Sequence, residues 1–212
     1  MKLYLENGYT SLNKKGEELC GDKVECVVDG EYTTMVLADG MGSGVKANIL
    51  STLTSKILCT MVSNGIDMDE CIATIVSTLP VCKVRGVAYS TFSVIHVDKQ
   101  GKGFLFEFDN PAAIYYHRGK CCDFDRDEHA YAGKTIYVTR LNLEEDDVII
   151  IMSDGVIHAG IGQLLNFGWL RSDVMKYLDE EIKPEMSARC IACLLASACN
   201  DLYIGAPGDD TT

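Results

Sequence analysis

The spacing of hydrophobic residues predicts a hairpin followed by two helices in the first part of the chain. Two stretches of strand-forming residues flank Asp29-Gly30, a pair that favours a two-residue turn between antiparallel strands. After the glycines that follow the second stretch, hydrophobic residues recur every three or four positions. This pattern predicts amphipathic helices over 45–64 and 67–80.

The rest of the chain repeats this order, with several strands followed by two more helices. Short turns separate the predicted strands, and strands joined by short turns pair antiparallel. Sheets of this kind bury a face under helices, so the sequence predicts an α+β layered sandwich. The predicted strands are 89–97, 103–109, 112–118, 135–141 and 147–154, and the predicted helices are 172–182 and 185–202.

Two aspartates at the open end of the predicted hairpin are expected to share one face of the sheet. With Asp29-Gly30 as the turn, Asp22 lies opposite Leu37, and Asp39 lies two residues further along the second strand. Residues two apart on a strand point to the same face, so the two aspartates become diagonal neighbours about 7–8 Å apart at Cα. That separation suits carboxylates that reach toward shared cations.

Similar acidic motifs occur twice more in the chain. The predicted strand 147–154 ends in Asp154, followed by Gly155, and the chain closes with "GAPGDDTT", which contains Asp209 and Asp210. Converging carboxylates repel one another unless a cation neutralises them. Because every side-chain donor in these motifs is an oxygen, the pattern favours Mg²⁺ or Mn²⁺ over zinc or copper. A strand-end Asp-Gly pair is also a common turn, so spacing alone leaves ordinary turns and a metal site as alternatives.

Composition argues against several other classes of function. The net charge of −12 disfavours binding to nucleic acid or to an anionic membrane. No hydrophobic run approaches the roughly 20 residues of a membrane helix. The N-terminal residues lack the pattern of a signal peptide, so a cytoplasmic protein is expected.

The ten cysteines and four histidines do not indicate a zinc site. The cysteines are scattered along the chain, which favours reduced thiols over a disulfide framework. The one C-x-x-C pair, Cys190 and Cys193, lies in an apolar helical stretch, where core packing is favoured over a redox or metal role. The histidines are expected to form no ligand cluster.

Four motifs taken together resemble those of a known family. The stretches "CGD", "LADGMGSG", "MSDG" and "PGDDTT", in this order, are similar to the motifs of the PPM (type 2C) metal-dependent Ser/Thr protein phosphatases, and in particular to the branch typified by the SpoIIE phosphatase domain. The resemblance runs from about Gly21 to the end of the chain. It implies a four-layer αββα sandwich with two central antiparallel sheets and a helix pair on each side. It also implies one domain over 1–212 that stops before the last strand of family members.

The resemblance also implies a set of metal ligands. Asp39 would bridge two Mn²⁺ or Mg²⁺ ions, and the backbone carbonyl of Gly40 would bind one of them. The ligating aspartates are the implied catalytic residues, because the ions they hold activate the attacking water. The remaining members of this set are Asp22, Asp154 and Asp209, with Asp210 in support.

Three features depart from the family pattern. Met41 stands where many members have a His that protonates the leaving oxygen, so the general acid is unassigned. Gly21 stands where eukaryotic members have an acidic residue. No phosphate-binding Arg lies upstream, although Lys14 or Lys15 could take its place.

By resemblance, the expected activity is the hydrolysis of phosphoserine or phosphothreonine on a regulatory protein. The expected partners are that phosphoprotein, for example an anti-anti-sigma factor, and a second copy of the chain in a homodimer. One alternative is a PPM-like regulatory module that has lost turnover and acts by binding a partner, and another is a domain that binds divalent ions for stability alone. The predicted helices 45–64 and 67–80 match the position of the regulatory switch of the SpoIIE branch. They are therefore expected either to act as such a switch or only to cover one face of the sandwich.

Overall fold

The computed structural model describes residues 2–79 and 90–212, and its elements follow the predicted order of hairpin, helices, strands and helices. The strands are β1 (Asp22–Asp29), β2 (Tyr32–Gly40), β3 (Ser90–Asp98), β4 (Lys102–Phe108), β5 (Ile114–His117), β6 (Lys120–Cys122), β7 (Asp127–Tyr131), β8 (Lys134–Asn142) and β9 (Val148–Ile150). The helices are α1 (Gly44–Ser63), α2 (Met68–Thr78), α3 (Asp154–Ile157), α4 (Arg171–Glu181) and α5 (Ala188–Leu202). Residue 80 of the predicted helix 67–80 and residue 89 of the predicted strand 89–97 lie outside the described residues.

The strands form two antiparallel sheets, as predicted. The larger sheet has the order β1-β2-β3-β4-β8-β7, and the smaller sheet has the order β6-β5-β9. Every ladder between these strands is antiparallel. Consecutive strands are neighbours through β4. Short turns join β1 to β2 and β3 to β4, whereas α1 and α2 lie in the connection between β2 and β3.

The two faces of the larger sheet bury different partners. Alternate residues such as Ala38, Phe92 and Phe106 pack with Leu58 of α1 and Ile72 of α2. The intervening residues face the smaller sheet, and Val97, Leu105 and Leu141 form a separate core there with partly buried residues of β9 and its flank. Because both faces of the central strands are covered, hydrophobic residues occur on both faces of β3 and β4 instead of strictly alternating with polar ones.

The second helix pair covers the outer face of the smaller sheet. Ile114 of β5 and Ile150 of β9 share one core with Leu178 of α4 and with Leu195 of α5. The order of layers is therefore helix pair, six-stranded sheet, three-stranded sheet and helix pair. This is the predicted four-layer sandwich with two central antiparallel sheets.

The predicted register of the first hairpin was wrong by two residues. Asp29 pairs with Tyr32, so the turn consists of Gly30 and Glu31 rather than Asp29 and Gly30. Gly30 has φ +56° and occupies the first central position, where a type II′ turn takes glycine. As a consequence, Asp22 lies directly opposite Asp39 instead of diagonal to it.

Three short elements were not predicted. β6 and β7 are edge strands whose residues are mostly exposed or half-buried, so their sequences lack the hydrophobic alternation that marks a strand. The predicted strand 147–154 pairs only over Val148–Ile150, and its last residue begins α3. The hydrophobic run continues to Met152 because that residue is fully buried, not because the ladder extends to it.

The prediction that Cys190 and Cys193 pack in the core was wrong. Both thiols are free and both residues are exposed, because α5 buries the face formed by Ile191, Leu195 and Cys199. The buried residues of α5 are spaced four apart, starting at Ile191. Cys190 lies one position before Ile191 and Cys193 two positions after it, so both fall outside the buried face of the helix. Across residues 2–79 and 90–212, every helix is too short or too polar to cross a membrane.

Candidate metal centre

The open end of the first hairpin places two carboxylates side by side. Asp22 begins β1 and Asp39 lies next to the last residue of β2, and the two residues face each other across the ladder. Directly opposed residues in an antiparallel pair are about 4.5–5.5 Å apart at Cα, closer than the predicted diagonal arrangement. Asp22 is only 4% exposed, so its carboxylate lies inside the protein.

The chain terminus brings further carboxylates to the same place. The N–H of Ser153 donates to the carbonyl oxygen of Thr212 (2.9 Å), and the N–H of Thr212 donates to Ser153 Oγ (3.0 Å). On its other side the terminal segment pairs with Leu12 through an antiparallel bridge at Thr211. These contacts hold residues 209–212 next to Asp154, the first residue of α3.

Asp209 and Asp210 are both anchored to the segment around Lys14. The backbone N–H of Lys14 donates to Asp210 Oδ1 (3.0 Å), and Lys14 Nζ lies 3.8 Å from Asp209 Oδ1. Asp210 is 4% exposed, whereas Asp209 is half-buried. The structure therefore places the ammonium group of Lys14 at the rim of the acidic cluster.

Glycines allow the backbones around these carboxylates to approach closely. A Cβ at Gly155 would lie 2.0 Å from the carbonyl oxygen of Asp210, and a Cβ at Gly21 would lie 2.7 Å from Asp210 Oδ2. The absence of an acidic side chain at position 21 therefore has a steric reason, because Asp210 occupies that space. On the opposite side of Asp39, a Cβ at Gly40 would lie 2.0 Å from the carbonyl oxygen of Ala47 in α1.

Crowding and burial change the acidity of the cluster. Burial, together with the charges of Asp22, Asp154, Asp209 and Asp210, raises the pKa of Asp39 from 3.8 to about 9. Burial raises the pKa of Asp22 to about 7 even though the side chains of Ser153 and Thr212 lower it, and repulsion from Asp210 and Asp154 adds to the increase. The pKa of Asp209 is also raised, mainly by burial and then by Asp154. The protein alone thus opposes the ionisation of three of these carboxyl groups.

Several buried oxygens of the cluster have no protein partner. Among the residues that the structure describes, Asp22 Oδ1, Asp22 Oδ2 and Asp210 Oδ2 accept no hydrogen bond of ordinary length and angle, although the side chains of Ser153 and Thr212 lie close enough to Asp22 to favour its charged form. A buried polar group without a partner is destabilising, and a buried carboxylate without a countercharge is more so. Divalent cations with oxygen ligands satisfy both requirements, so this donor set fits Mg²⁺ or Mn²⁺.

His158 joins the cluster and was missed in the sequence. Its Nδ1 lies 3.7 Å from Asp154 Oδ2, and one ligand atom each from Asp154, His158 and Asp209 all lie within 4.8 Å of one another. No histidine was predicted to have a role at this site, so His158 is an addition to the predicted set of residues. The sequence does contain a signal, because Asp154 and His158 are four residues apart. Residues four apart share one face of a helix, but this holds only if Asp154 is assigned to a helix rather than to a strand.

The structure gathers the side chains of the five predicted aspartates and ends β2 at Gly40, the predicted backbone ligand. The pairing of β1 with β2 contributes Asp22 and Asp39, and the start of α3 contributes Asp154. The terminal segment contributes Asp209 and Asp210. Met41, the position that departs from the family pattern, immediately follows β2.

Comparison with known proteins places the chain among the PP2C-type phosphatase domains. The family described as Stage II sporulation protein E (SpoIIE) matches residues 29–212, a range that starts after Asp22. The solved PP2C phosphatase domain of SpoIIE from Bacillus subtilis, with a fragment of its regulatory domain, has a TM-score of 0.83 at 22% identity and aligns over 100% of this chain and 62% of that chain.

Two other solved structures share the fold. The RsbU and RsbW domains of Rv1364c from Mycobacterium tuberculosis have a TM-score of 0.70 at 17% identity, over 99% of this chain and 62% of that chain. RsbX in complex with magnesium has a TM-score of 0.65 at 18% identity, over 100% and 96%. The chain thus spans less than two thirds of the SpoIIE and Rv1364c proteins it matches. No curated protein sequence matches the chain.

Proposed function

Since the chain belongs to the SpoIIE family and has the fold of PP2C phosphatase domains, we propose that it hydrolyses phosphoserine or phosphothreonine on a regulatory protein with the help of two Mn²⁺ or Mg²⁺ ions. The observation that carries the proposal is the cluster of five aspartates, of which Asp22 and Asp210 are buried with carboxylate oxygens that lack a hydrogen-bond partner. A protein without a use for cations at this site would gain stability by replacing such groups with apolar side chains.

The proposed ligands of the two ions are those that the family resemblance implies. Asp39 lies opposite Asp22 across the β1–β2 ladder and within electrostatic reach of Asp154 and Asp209, which supports it as the proposed bridging ligand. The carbonyl of Gly40 is the proposed backbone ligand, and Asp210 is the proposed supporting residue. Bound cations of this kind lower the pKa of water and offset the charge of a phosphoryl group.

The protein's own residues prepare this site in two ways. Asp39 and Asp22 must release their protons to bind cations, so their raised pKa values link occupancy of the site to pH. Lys14 Nζ, 3.8 Å from Asp209, provides a positive charge at the rim where the anionic substrate approaches. In this role Lys14 replaces the missing phosphate-binding Arg, and its backbone N–H is held by Asp210.

The proposed substrate is a phosphorylated protein of a bacterial signalling system, such as an anti-anti-sigma factor. Support comes from the neighbours, which include RsbX with magnesium, the RsbU and RsbW domains of one protein, and a component of the bacterial stressosome. A cytoplasmic location and a homodimer complete the proposal. A net charge of −12 further favours a protein partner over nucleic acid.

The proposal is tested by the release of phosphate from a phosphoserine peptide and a phosphothreonine peptide, with Mn²⁺, with Mg²⁺ and with chelator. We expect metal-dependent turnover in the wild type and a loss of at least about a hundredfold in Asp39→Asn, because that change removes the bridging carboxylate. Asp29→Asn, at the far end of β1, is the matched control and should retain full turnover. Turnover that is equal in Asp39→Asn and the wild type would refute the proposed centre.

The second candidate function is a regulatory module that binds a partner without turnover. Met41 at the usual position of the general acid and the absence of an upstream Arg favour it. This candidate predicts that Mn²⁺ raises the melting temperature of the protein while no phosphopeptide or phosphoprotein is hydrolysed. An unchanged melting temperature together with no hydrolysis would instead exclude both candidates, since each retains the metal site.

A further inference from the structure

A histidine side chain lies beside two of the proposed metal ligands. His158 is the C-cap of the short helix α3, which starts at Asp154, and its Nδ1 is 3.7 Å from Asp154 Oδ2. Asp209 completes a group whose ligand atoms are all within 4.8 Å of one another. Two ligands that each lie about 2.1 Å from one ion are at most about 4.2 Å apart, so the His158–Asp154 separation already fits a shared ion.

We propose that His158 is a nitrogen ligand of the divalent-metal centre, together with Asp154 and Asp209. This inference rests on the metal centre of the proposed function and adds a donor that its all-oxygen ligand set does not contain. His158 and Asp154 are each a little under half exposed, so the imidazole can turn toward an ion with little rearrangement of the core.

Buried oxygens next to this group indicate a ligand independently. Asp22 is 4% exposed, neither of its carboxylate oxygens accepts a hydrogen bond of ordinary length and angle, and its charge interacts with that of Asp154. An ion pair between His158 and Asp154 would leave those oxygens unsatisfied. A cation held between Asp22 and the Asp154–His158–Asp209 group accounts for both observations.

A nitrogen donor changes the preference of the site among metals. Mg²⁺ prefers oxygen ligands and dehydrates reluctantly, and imidazole is a donor typical of transition-metal ions. Mn²⁺ is the transition-metal ion that also suits the carboxylates of this site. His158 therefore makes the centre selective for Mn²⁺ over Mg²⁺. The replacement His158→Gln keeps a polar side chain of similar length but removes the imidazole nitrogen.

The other three histidines are engaged elsewhere. His96 hydrogen bonds to Thr34 and stacks on Tyr32, and His117 lies against Asp147. His129 is exposed on β7 and stacks on Tyr131. A metal-bound imidazole in this protein can therefore be assigned to one residue, and His129→Gln serves as the matched control.

The experiment is pulsed electron paramagnetic resonance of Mn²⁺ bound to the protein, without a polyhistidine tag, in which a coordinated imidazole produces ¹⁴N modulation of the spin echo. We expect the modulation in the wild type and in His129→Gln, and its loss in His158→Gln. In parallel, calorimetric titrations with Mn²⁺ and with Mg²⁺ should show that His158→Gln weakens Mn²⁺ binding by at least about tenfold and changes Mg²⁺ binding much less.

The outcomes separate this inference from the proposed function. Mn²⁺ that binds the wild type without ¹⁴N modulation, or with modulation that persists in His158→Gln, overturns the inference even if the protein hydrolyses phosphopeptides. Modulation that is lost only in His158→Gln supports the inference even if no hydrolysis is found. A wild type that binds no Mn²⁺ overturns both. The far-ultraviolet circular dichroism of each variant shows that the fold is retained.

Discussion

At the scale of the residue, the centre depends on carboxyl groups that the protein alone does not favour in the charged form. Asp22 is buried and Asp39 is half-buried, and the two residues face each other across one ladder. Asp39 also lies within electrostatic reach of three more aspartates. Each bound cation therefore relieves a repulsion that is present in the folded protein but not in the unfolded chain. Stability and metal binding must be linked at these residues.

The metal-free protein should lose stability as the pH rises. Between about pH 4 and the raised pKa values, about 7 for Asp22 and about 9 for Asp39, the folded protein holds protons that the unfolded chain releases. The free energy of unfolding therefore falls with increasing pH, by about 1 kcal/mol or more per pH unit between pH 5 and 7. Urea denaturation in chelator at several pH values measures this slope.

The control for this pH dependence is Asp39→Asn, which cannot titrate. Its slope should be smaller than that of the wild type, and it should be more stable than the wild type at pH 7 without metal. Metal-free stability that stays constant or increases from pH 5 to pH 7 would show that the carboxyl groups are not buried together as described.

The sequence was sufficient to place Asp22 and Asp39 on one face, but not to find their exact neighbours. The observed register differs from the predicted one by two residues, and side chains alternate along a strand, so the shared face was retained. The predicted position of the turn was wrong, because glycine is favourable at either of the two central positions of a two-residue loop and the sequence does not show which one Gly30 occupies. His158 was missed because its proximity to Asp154 depends on α3, which a hydrophobic run through Met152 concealed.

At the scale of the element, α1 sets the position of the Asp39–Gly40 segment. The first turns of α1 lie so close to β2 that a Cβ on Gly40 would be 2.0 Å from the carbonyl oxygen of Ala47. Asn48 of the same helix donates its side-chain amide to the carbonyl of Cys20, which lies just before β1 (2.8 Å). A shift of α1 would therefore move both strand ends that carry the carboxylates, as a regulatory switch at this helix requires.

Gly40→Ala should displace α1 and weaken metal binding as well as stability. The added methyl group meets backbone atoms, which cannot move aside as a flexible side chain can, so we expect a loss of about 1–3 kcal/mol in the free energy of unfolding. Urea denaturation measures the stability, and Mn²⁺ titration calorimetry measures the affinity.

The matched control is Gly208→Ala, where the nearest atom to a new Cβ is 3.5 Å away and belongs to the Tyr203 ring. This variant should keep the stability of the wild type within about 0.5 kcal/mol. Equal stability of Gly40→Ala and Gly208→Ala would show that α1 does not press on the end of β2.

Sequence reasoning at this scale found the long elements and missed the short ones. The predicted helices 45–64 and 172–182 differ from α1 and α4 by one residue at each end, because their buried faces repeat over several turns. β7 has only one residue that is even half-buried, so nothing in its pattern distinguished it from a loop. An edge strand is defined by backbone pairing, here to β8, and pairing leaves little trace in side-chain type.

At the scale of the whole molecule, the two sheets are joined by a buried charge as well as by hydrophobic contacts. Glu107 of β4 is 1% exposed, its Oε1 accepts the N–H of Ala113 (2.7 Å), and its Oε2 lies 2.9 Å from Arg126 Nε. Burial raises the pKa of Glu107 even though Arg126 opposes the shift. This residue fixes the segment that leads from the larger sheet into the smaller one.

Glu107→Ala should therefore destabilise the sandwich by about 3 kcal/mol, because it leaves Arg126 without its partner and the N–H of Ala113 without an acceptor. The exposed ion pair between Arg118 and Glu144 provides the matched control, since both of its side chains are more than half exposed. Glu144→Ala should unfold at the same urea concentration as the wild type. Similar midpoints for the two variants would contradict a structural role for the buried pair.

The measurement that tests the central claim most directly is the calorimetric titration of metal-free protein with Mn²⁺, in the wild type and in Asp39→Asn. The account predicts two ions per chain for the wild type and, for Asp39→Asn, a loss of at least tenfold in affinity, because that aspartate is the proposed bridge between both ions. Failure of the wild type to bind Mn²⁺, or equal binding by Asp39→Asn, would contradict the claim that these clustered carboxylates form a metal centre.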